Sequence, residues 1–167
     1  TNNFELDLRI LDNIQKEALE RALKNNLWVL IYGESGIGKT YILEQLTNLG
    51  FLFVQGNVTK KDEFIKLVHF GVRKVCVDEI DKINYNIINV FNHLYAKGVQ
   101  VIATCNDIFK LPDFLLDRFD VRIKAVMTFD KYKEILNCDE DLARILFEKG
   151  VSVRRAKRLL DANFSEK

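Results

Sequence analysis

The segment Gly33-Glu34-Ser35-Gly36-Ile37-Gly38-Lys39-Thr40 fits G-x-x-x-x-G-K-[S/T] without deviation, and each position has a chemical reason. Glycines let backbone N–H groups turn inward around a β-phosphate. Lys39 reaches the β/γ oxygens, the Thr40 hydroxyl ligates Mg²⁺, and the helix that follows aims its N-terminal N–H groups and dipole at the anion. The flanks agree. Leu27–Tyr32 is a continuous apolar run, as expected of a strand buried on both faces, and a helical pattern runs from the loop to about Leu49. A chain that opens a helix in this way is committed to laying that helix against a parallel sheet.

The rest of the chain repeats strand and helix. A first helix is expected over Leu11–Asn25, with Leu11, Ile14, Ala18 and Ala22 on one stripe and Leu19 and Leu23 beside it. Further strands are expected at Phe51–Gln55, Lys74–Asp78, Val99–Thr104 and Val121–Ala125. Helices are expected at Lys61–Phe70 and at Asn84–Lys97, the latter with Ile87, Val90, Phe91 and Leu94 inward. Alternation of this kind predicts an α/β fold, a three-layer parallel sheet of five strands. After about Ala125 the pattern becomes wholly helical, at Thr128–Leu136, Asp139–Glu148 and Ser152–Asn163. The expected division is therefore an α/β base over residues 1–126 and a small helical appendage over 127–167.

Composition excludes several classes. No apolar run approaches the roughly 18 residues of a membrane span, and Thr1–Glu5 shows no basic-then-apolar signal pattern. A chain that begins without Met reads as a piece of a longer one. The net charge of +1 gives no global pull towards nucleic acid, so DNA contact would need a local patch. Cys76, Cys105 and Cys138 have no metal spacing and read as reduced thiols. Cys76 and Cys105 sit in apolar strands as small buried side chains. A cytoplasmic protein is expected.

Lys74–Asp78 is an apolar strand that ends in carboxylates, followed by Glu79 and Asp81. Beside a phosphate loop, Asp78 is placed to hold Mg²⁺. Glu79 is placed to take a proton from an attacking water. Asp81 reads as an N-cap or a helix-start acid.

Taken in order, these segments resemble the AAA+ ATPases. The resemblance implies ATP with Mg²⁺ as ligands and ATP hydrolysis as the activity, with nucleotide contacts running from Gly33 through Tyr41. Val101–Asn106 resembles the family's sensor-1 strand, with Asn106 at the polar position that helps orient the water. Leu115-Leu116-Asp117-Arg118-Phe119 resembles the arginine-finger segment, with Arg118 as the finger and Arg122 as its alternative. A bland reading of Arg118, set between Asp117 and Asp120, is a surface ion pair. Val151–Ala156 resembles the sensor-2 helix start, with Arg154 reaching the γ-phosphate from a helical lid. Arg155 and Arg158 compete for that role, and a solvated basic face is the bland reading.

The resemblance implies a homo-oligomer, ring or filament, in which a finger serves the neighbouring site. Gln55-Gly56-Asn57-Val58-Thr59-Lys60 lacks the aromatic of a polypeptide-gripping loop, which argues against threading. In tone the motifs resemble replication initiators, helicase loaders and clamp loaders, so DNA and a replication protein are the expected partners. A chaperone-like or regulatory ATPase acting on a protein client is the alternative.

Overall fold

The computed structural model describes residues 5–57, 61–83 and 88–165. Five parallel strands form one sheet: β1 (Val29–Tyr32), β2 (Leu52–Gln55), β3 (Lys74–Asp78), β4 (Gln100–Cys105) and β5 (Val121–Lys124). Their order across the sheet is β2-β3-β4-β1-β5. Val29 pairs with Ile102 on one side and with Val121 on the other, so β1 is an inner strand held between β4 and β5.

The side-chain period of two sorts the strand residues between two cores. Leu30, Val75, Val77, Val101 and Ala103 face one layer, where Trp28, Phe64 and Phe91 complete the packing. Val29, Ile31, Cys76, Ile102 and Ile123 face the other, against Leu19, Ile42, Leu43 and Leu46. Helices α1 (Asn13–Lys24) and α2 (Lys39–Leu46) cover this second face. Helices α3 (Lys61–His69) and α4 (Val90–Ala96) cover the first. The short α5 (Asp113–Leu116) lies between β4 and β5 and buries Leu115 in the first layer. Trp28 anchors that layer, with edge-on contacts to Tyr95 and Phe119 at 5.4 Å each and its indole N–H on Val99 O at 2.8 Å.

Two expectations fail locally. Ile14 is 81% exposed rather than inward. Asp12 and Gln15 close a capping box that starts α1 at Asn13. The inward stripe is then set by Leu19 and Ala22, with the Gln15 amide reaching Lys124 O at 2.7 Å. The helix expected from Asn84 begins only at Val90. Ile88 and Asn89 form a turn, and Asn84–Ile87, including the Ile87 expected inward, lie outside the described residues. Val90, Phe91 and Leu94 are buried as expected.

Beyond β5 come α6 (Phe129–Leu136), α7 (Glu140–Glu148) and α8 (Val153–Ser165). Thr128 and Asp139 cap the first two by accepting from Lys131 N and Leu142 N. These helices pack around Tyr132, Leu136 and Ala156. Lys131 Nζ bridges back, donating to Ile10 O at 3.1 Å and Val126 O at 2.9 Å.

Candidate nucleotide site

The site lies at the carboxyl ends of β1, β3 and β4, where an open α/β sheet offers its crevice. Between β1 and α2 the loop turns through Gly38, the N-cap of α2, at φ 109°. A side chain there would be strained, and its Cβ would meet Ile10 Cγ2 at 3.3 Å.

Lys39 is 6% exposed, and its ammonium donates to the carbonyls of Gly33 and Glu34 at 2.6 Å each. The loop therefore fixes its own cation. Burial holds that cation's pKa below the ordinary lysine value, against the pull of the Asp78, Asp81 and Glu79 carboxylates.

The Thr40 hydroxyl lies 3.0 Å from both oxygens of Asp78, which is itself 3% exposed. Thr104 Oγ1 donates to Asp78 Oδ1 at 2.7 Å and accepts from Glu79 N at 3.0 Å. Glu79 sits at φ 54°, ψ 54°, in the left-handed region that non-glycine residues rarely visit. Its carboxylate pairs with Lys82 at 3.1 Å.

A cavity of about 390 Å³ collects these groups. Its walls include Ser35–Thr40, Tyr41, Asp78, Glu79, Thr104, Asn106 and Arg154. Of the residues singled out in the sequence, Gly33 and Glu34 contribute through the Lys39 bonds. Arg154 reaches the cavity wall; Arg155 and Arg158 do not line it. Arg118 stands apart from the cavity. Its guanidinium lies 4.2 Å over the Tyr95 ring, and its Nε is buried and donates to no described group. Arg122 donates to Leu116 O at 2.9 Å and lies 3.9 Å from Asp117.

A hydroxyl and a carboxylate in contact, both hard oxygen donors, fit a Mg²⁺ site. The concave loop with its fixed ammonium fits a nucleotide's phosphates. A family model described as ATPase family associated with various cellular activities (AAA) matches residues 29–126, more than half of the chain. The chain belongs to the AAA ATPase family.

Solved structures share its fold. A threonine-to-valine form of RuvB from Thermotoga maritima superposes with TM-score 0.73 at 19% identity, over 92% of this chain and 60% of that one. A proline-to-glycine mutant of the same RuvB gives 0.69 at 20%, over 86% and 58%. The AAA domain of FIGL-1, in complex with ADP, gives 0.68 at 15%, over 95% and 72%. This chain thus spans about 60% of the RuvB chain. No curated protein sequence matches it. Among the described residues no helix is long and apolar enough to cross a membrane.

Within this AAA site three residues do more than the sequence shows. Asp81 lies in the first turn of the short 3₁₀ helix Ile80–Lys82, as a helix-start acid, with Glu79 as the N-cap; its Oδ2 also accepts from Asn106 N and Asp107 N at 3.3 Å each. Thr104 escapes sequence reasoning, because a threonine inside an apolar strand reads as an ordinary β-former. Gly56 shows in the sequence only as part of a loop without aromatics, and Val58–Lys60 of that loop lie outside the described residues. Gly56 N donates to Asp78 O at 2.7 Å. A Cβ on Gly56 would come within 2.3 Å of Glu79 O. Burial pushes the Cys76 and Cys105 thiols up to about 12, in keeping with the small buried strand side chains expected of them.

Proposed function

We propose that this chain hydrolyses ATP with Mg²⁺ at an interface between two of its own copies, to remodel or load a DNA replication or recombination assembly. The observation that carries the catalytic part is the convergence of Lys39, Thr40, Asp78, Glu79 and Asn106 on one cavity. The ADP bound to the FIGL-1 AAA domain supports an adenine nucleotide as the ligand.

In this reading the N–H groups of residues 36–40 wrap the β-phosphate, and Lys39 neutralises the β/γ oxygens. Thr40 and Asp78 would hold Mg²⁺, which when bound offsets charge on the same oxygens. Glu79 accepts the proton of the attacking water, and Asn106 orients that water. Residues 127–167 act as a lid that carries Arg154 to the γ-phosphate. Arg118, off the cavity and short of a hydrogen-bond acceptor, is the residue lent to the neighbouring copy.

The DNA role draws support from the missing aromatic in Gln55–Lys60 and from the basic run Arg154-Arg155-Ala156-Lys157-Arg158. The second reading is a protein client. The test is the ATPase rate against protein concentration, with and without single-stranded DNA, duplex DNA and an unfolded protein. Stimulation by DNA that fades with salt supports the first reading; stimulation by protein alone selects the second. Glu79→Gln should bind ATP and not turn it over. Wild-type turnover in that variant would move the proton-accepting role elsewhere.

A further inference from the structure

Two side chains that the nucleotide motifs do not assign tie the acidic turn to the end of the sensor strand. The first is Thr104, 1% exposed on β4. Its single hydroxyl proton goes to Asp78 Oδ1 at 2.7 Å, and its lone pair receives Glu79 N–H at 3.0 Å. One atom thus orients one acidic side chain and fixes the backbone of the next. The second is Asp81, whose Oδ2 receives the N–H groups of Asn106 and Asp107 at 3.3 Å each. The ties run in opposite directions, β4 side chain to β3 turn and β3 turn side chain to β4 end.

Glu79 needs such a frame. A non-glycine residue at φ 54° persists only where its surroundings over-determine it. Here its N–H is held by Thr104, and its carbonyl receives Lys82 N at 2.9 Å. Asn106 lies just past the end of β4, and its backbone N–H is held by Asp81.

We propose that Thr104 and Asp81 are positioning residues for hydrolysis, holding Glu79 and Asn106 as one rigid unit so that proton acceptor and water-orienting amide keep a fixed separation. The inference rests on the hydrolase reading above. Neither residue need touch the phosphates, so both should act on turnover and spare nucleotide binding measured without Mg²⁺, which the loop at residues 33–40 governs; Thr104 reaches the metal site only through Asp78.

The experiment compares Thr104→Val, which keeps shape and loses both bonds, with Thr104→Ser, which keeps both. It pairs Asp81→Leu with Asp81→Asn in the same way. Each variant of the whole chain is checked by thermal melting, then assayed for kcat and KM with Mg²⁺ and for equilibrium affinity for a fluorescent ATP analogue without it. Thr104→Val and Asp81→Leu should each lose about 10- to 100-fold in kcat, with affinity within about 3-fold of wild type. Thr104→Ser and Asp81→Asn should recover most of the rate. If Thr104→Val does not fold, the Asp81 pair decides. A folded Thr104→Val or Asp81→Leu that turns over at the wild-type rate overturns the proposal. So does a conservative variant as slow as its apolar partner, since that marks general structural damage. A wild-type chain that binds ATP yet never hydrolyses it overturns the hydrolase reading itself, and the positioning role with it.

Discussion

Gly56→Ala should cripple catalysis without touching any residue of the phosphate loop. Gly56 follows β2 and lies against the backbone of the acidic turn. A Cβ built there meets Glu79 O at 2.3 Å and Asp78 O at 2.8 Å, both backbone atoms that cannot rotate away. Ordinary contact begins near 3.4 Å, so Glu79 O would have to retreat by about 1 Å. The interior is close-packed and cannot absorb that locally. The shift falls on a residue already in a left-handed conformation, or on the 2.7 Å bond from Gly56 N to Asp78 O. A misplacement of about 1 Å can cost on the order of 10²-fold in rate. Overpacking of this kind costs about 1–3 kcal/mol in stability. The expected result is therefore a folded protein with a lowered melting temperature, near-normal affinity for an ATP analogue, and kcat down by on the order of 10²-fold. Steady-state hydrolysis, analogue titration and a thermal melt measure the three quantities. A Gly56→Ala protein with wild-type kcat would show that the Gly56 contact does not constrain Glu79.

Lys39→Ala removes the one ammonium that the loop fixes on its own carbonyls, and affinity for an ATP analogue should fall by roughly 10- to 100-fold; unchanged affinity would sink the phosphate-loop assignment. Arg118→Ala should bind ATP normally and hydrolyse it slower by on the order of 10³-fold, and mixing it with Lys39→Ala should restore activity through hybrid interfaces; a specific rate independent of concentration in an active Arg118→Ala protein removes the shared-site mechanism. Asp7 gives a pH test: the Arg9 guanidinium, 2.8 Å away, holds its carboxyl below the ordinary value. A depressed carboxyl stabilises the fold above the unfolded pKa and loses that stabilisation as pH falls through the folded one. Melting temperatures of Asp7→Asn should thus fall less steeply than wild type below about pH 4, and parallel curves would contradict the pairing.

The signals legible in the sequence are those that repeat along one stretch of chain. Val75-Cys76-Val77 announces a two-sided strand because every residue in it is apolar, and the fold buries all three completely. The Gly33–Thr40 loop is legible because backbone chemistry forces its glycines and its lysine. Signals that depend on packing between distant segments are not. Ile14 looks inward on a helical wheel, and only the capping box and the Gln15–Lys124 bond turn it outward. Thr104 and Asp81 look like a strand residue and a turn residue until β3 and β4 are side by side, 26 positions apart at Asp78 and Thr104. Gly56 carries no local signal at all, since its conformation is ordinary and only its neighbour, Glu79 O, demands the missing Cβ.

The place of β1 between β4 and β5 bears on how the chain comes together during synthesis. Both neighbours of β1 lie far downstream, at Gln100–Cys105 and Val121–Lys124. A nascent chain that has emerged only through β3 holds β1 with two bare edges, and such edges recruit other strands. Pairings this distant close late, because loop entropy must be overcome before they reward it. The phosphate loop hangs from the end of β1, so it gains its frame only when β4 and β5 have docked. Nucleotide binding during translation should then begin only after Lys124 clears the ribosome, and an arrested chain ending before Gln100 should aggregate rather than bind.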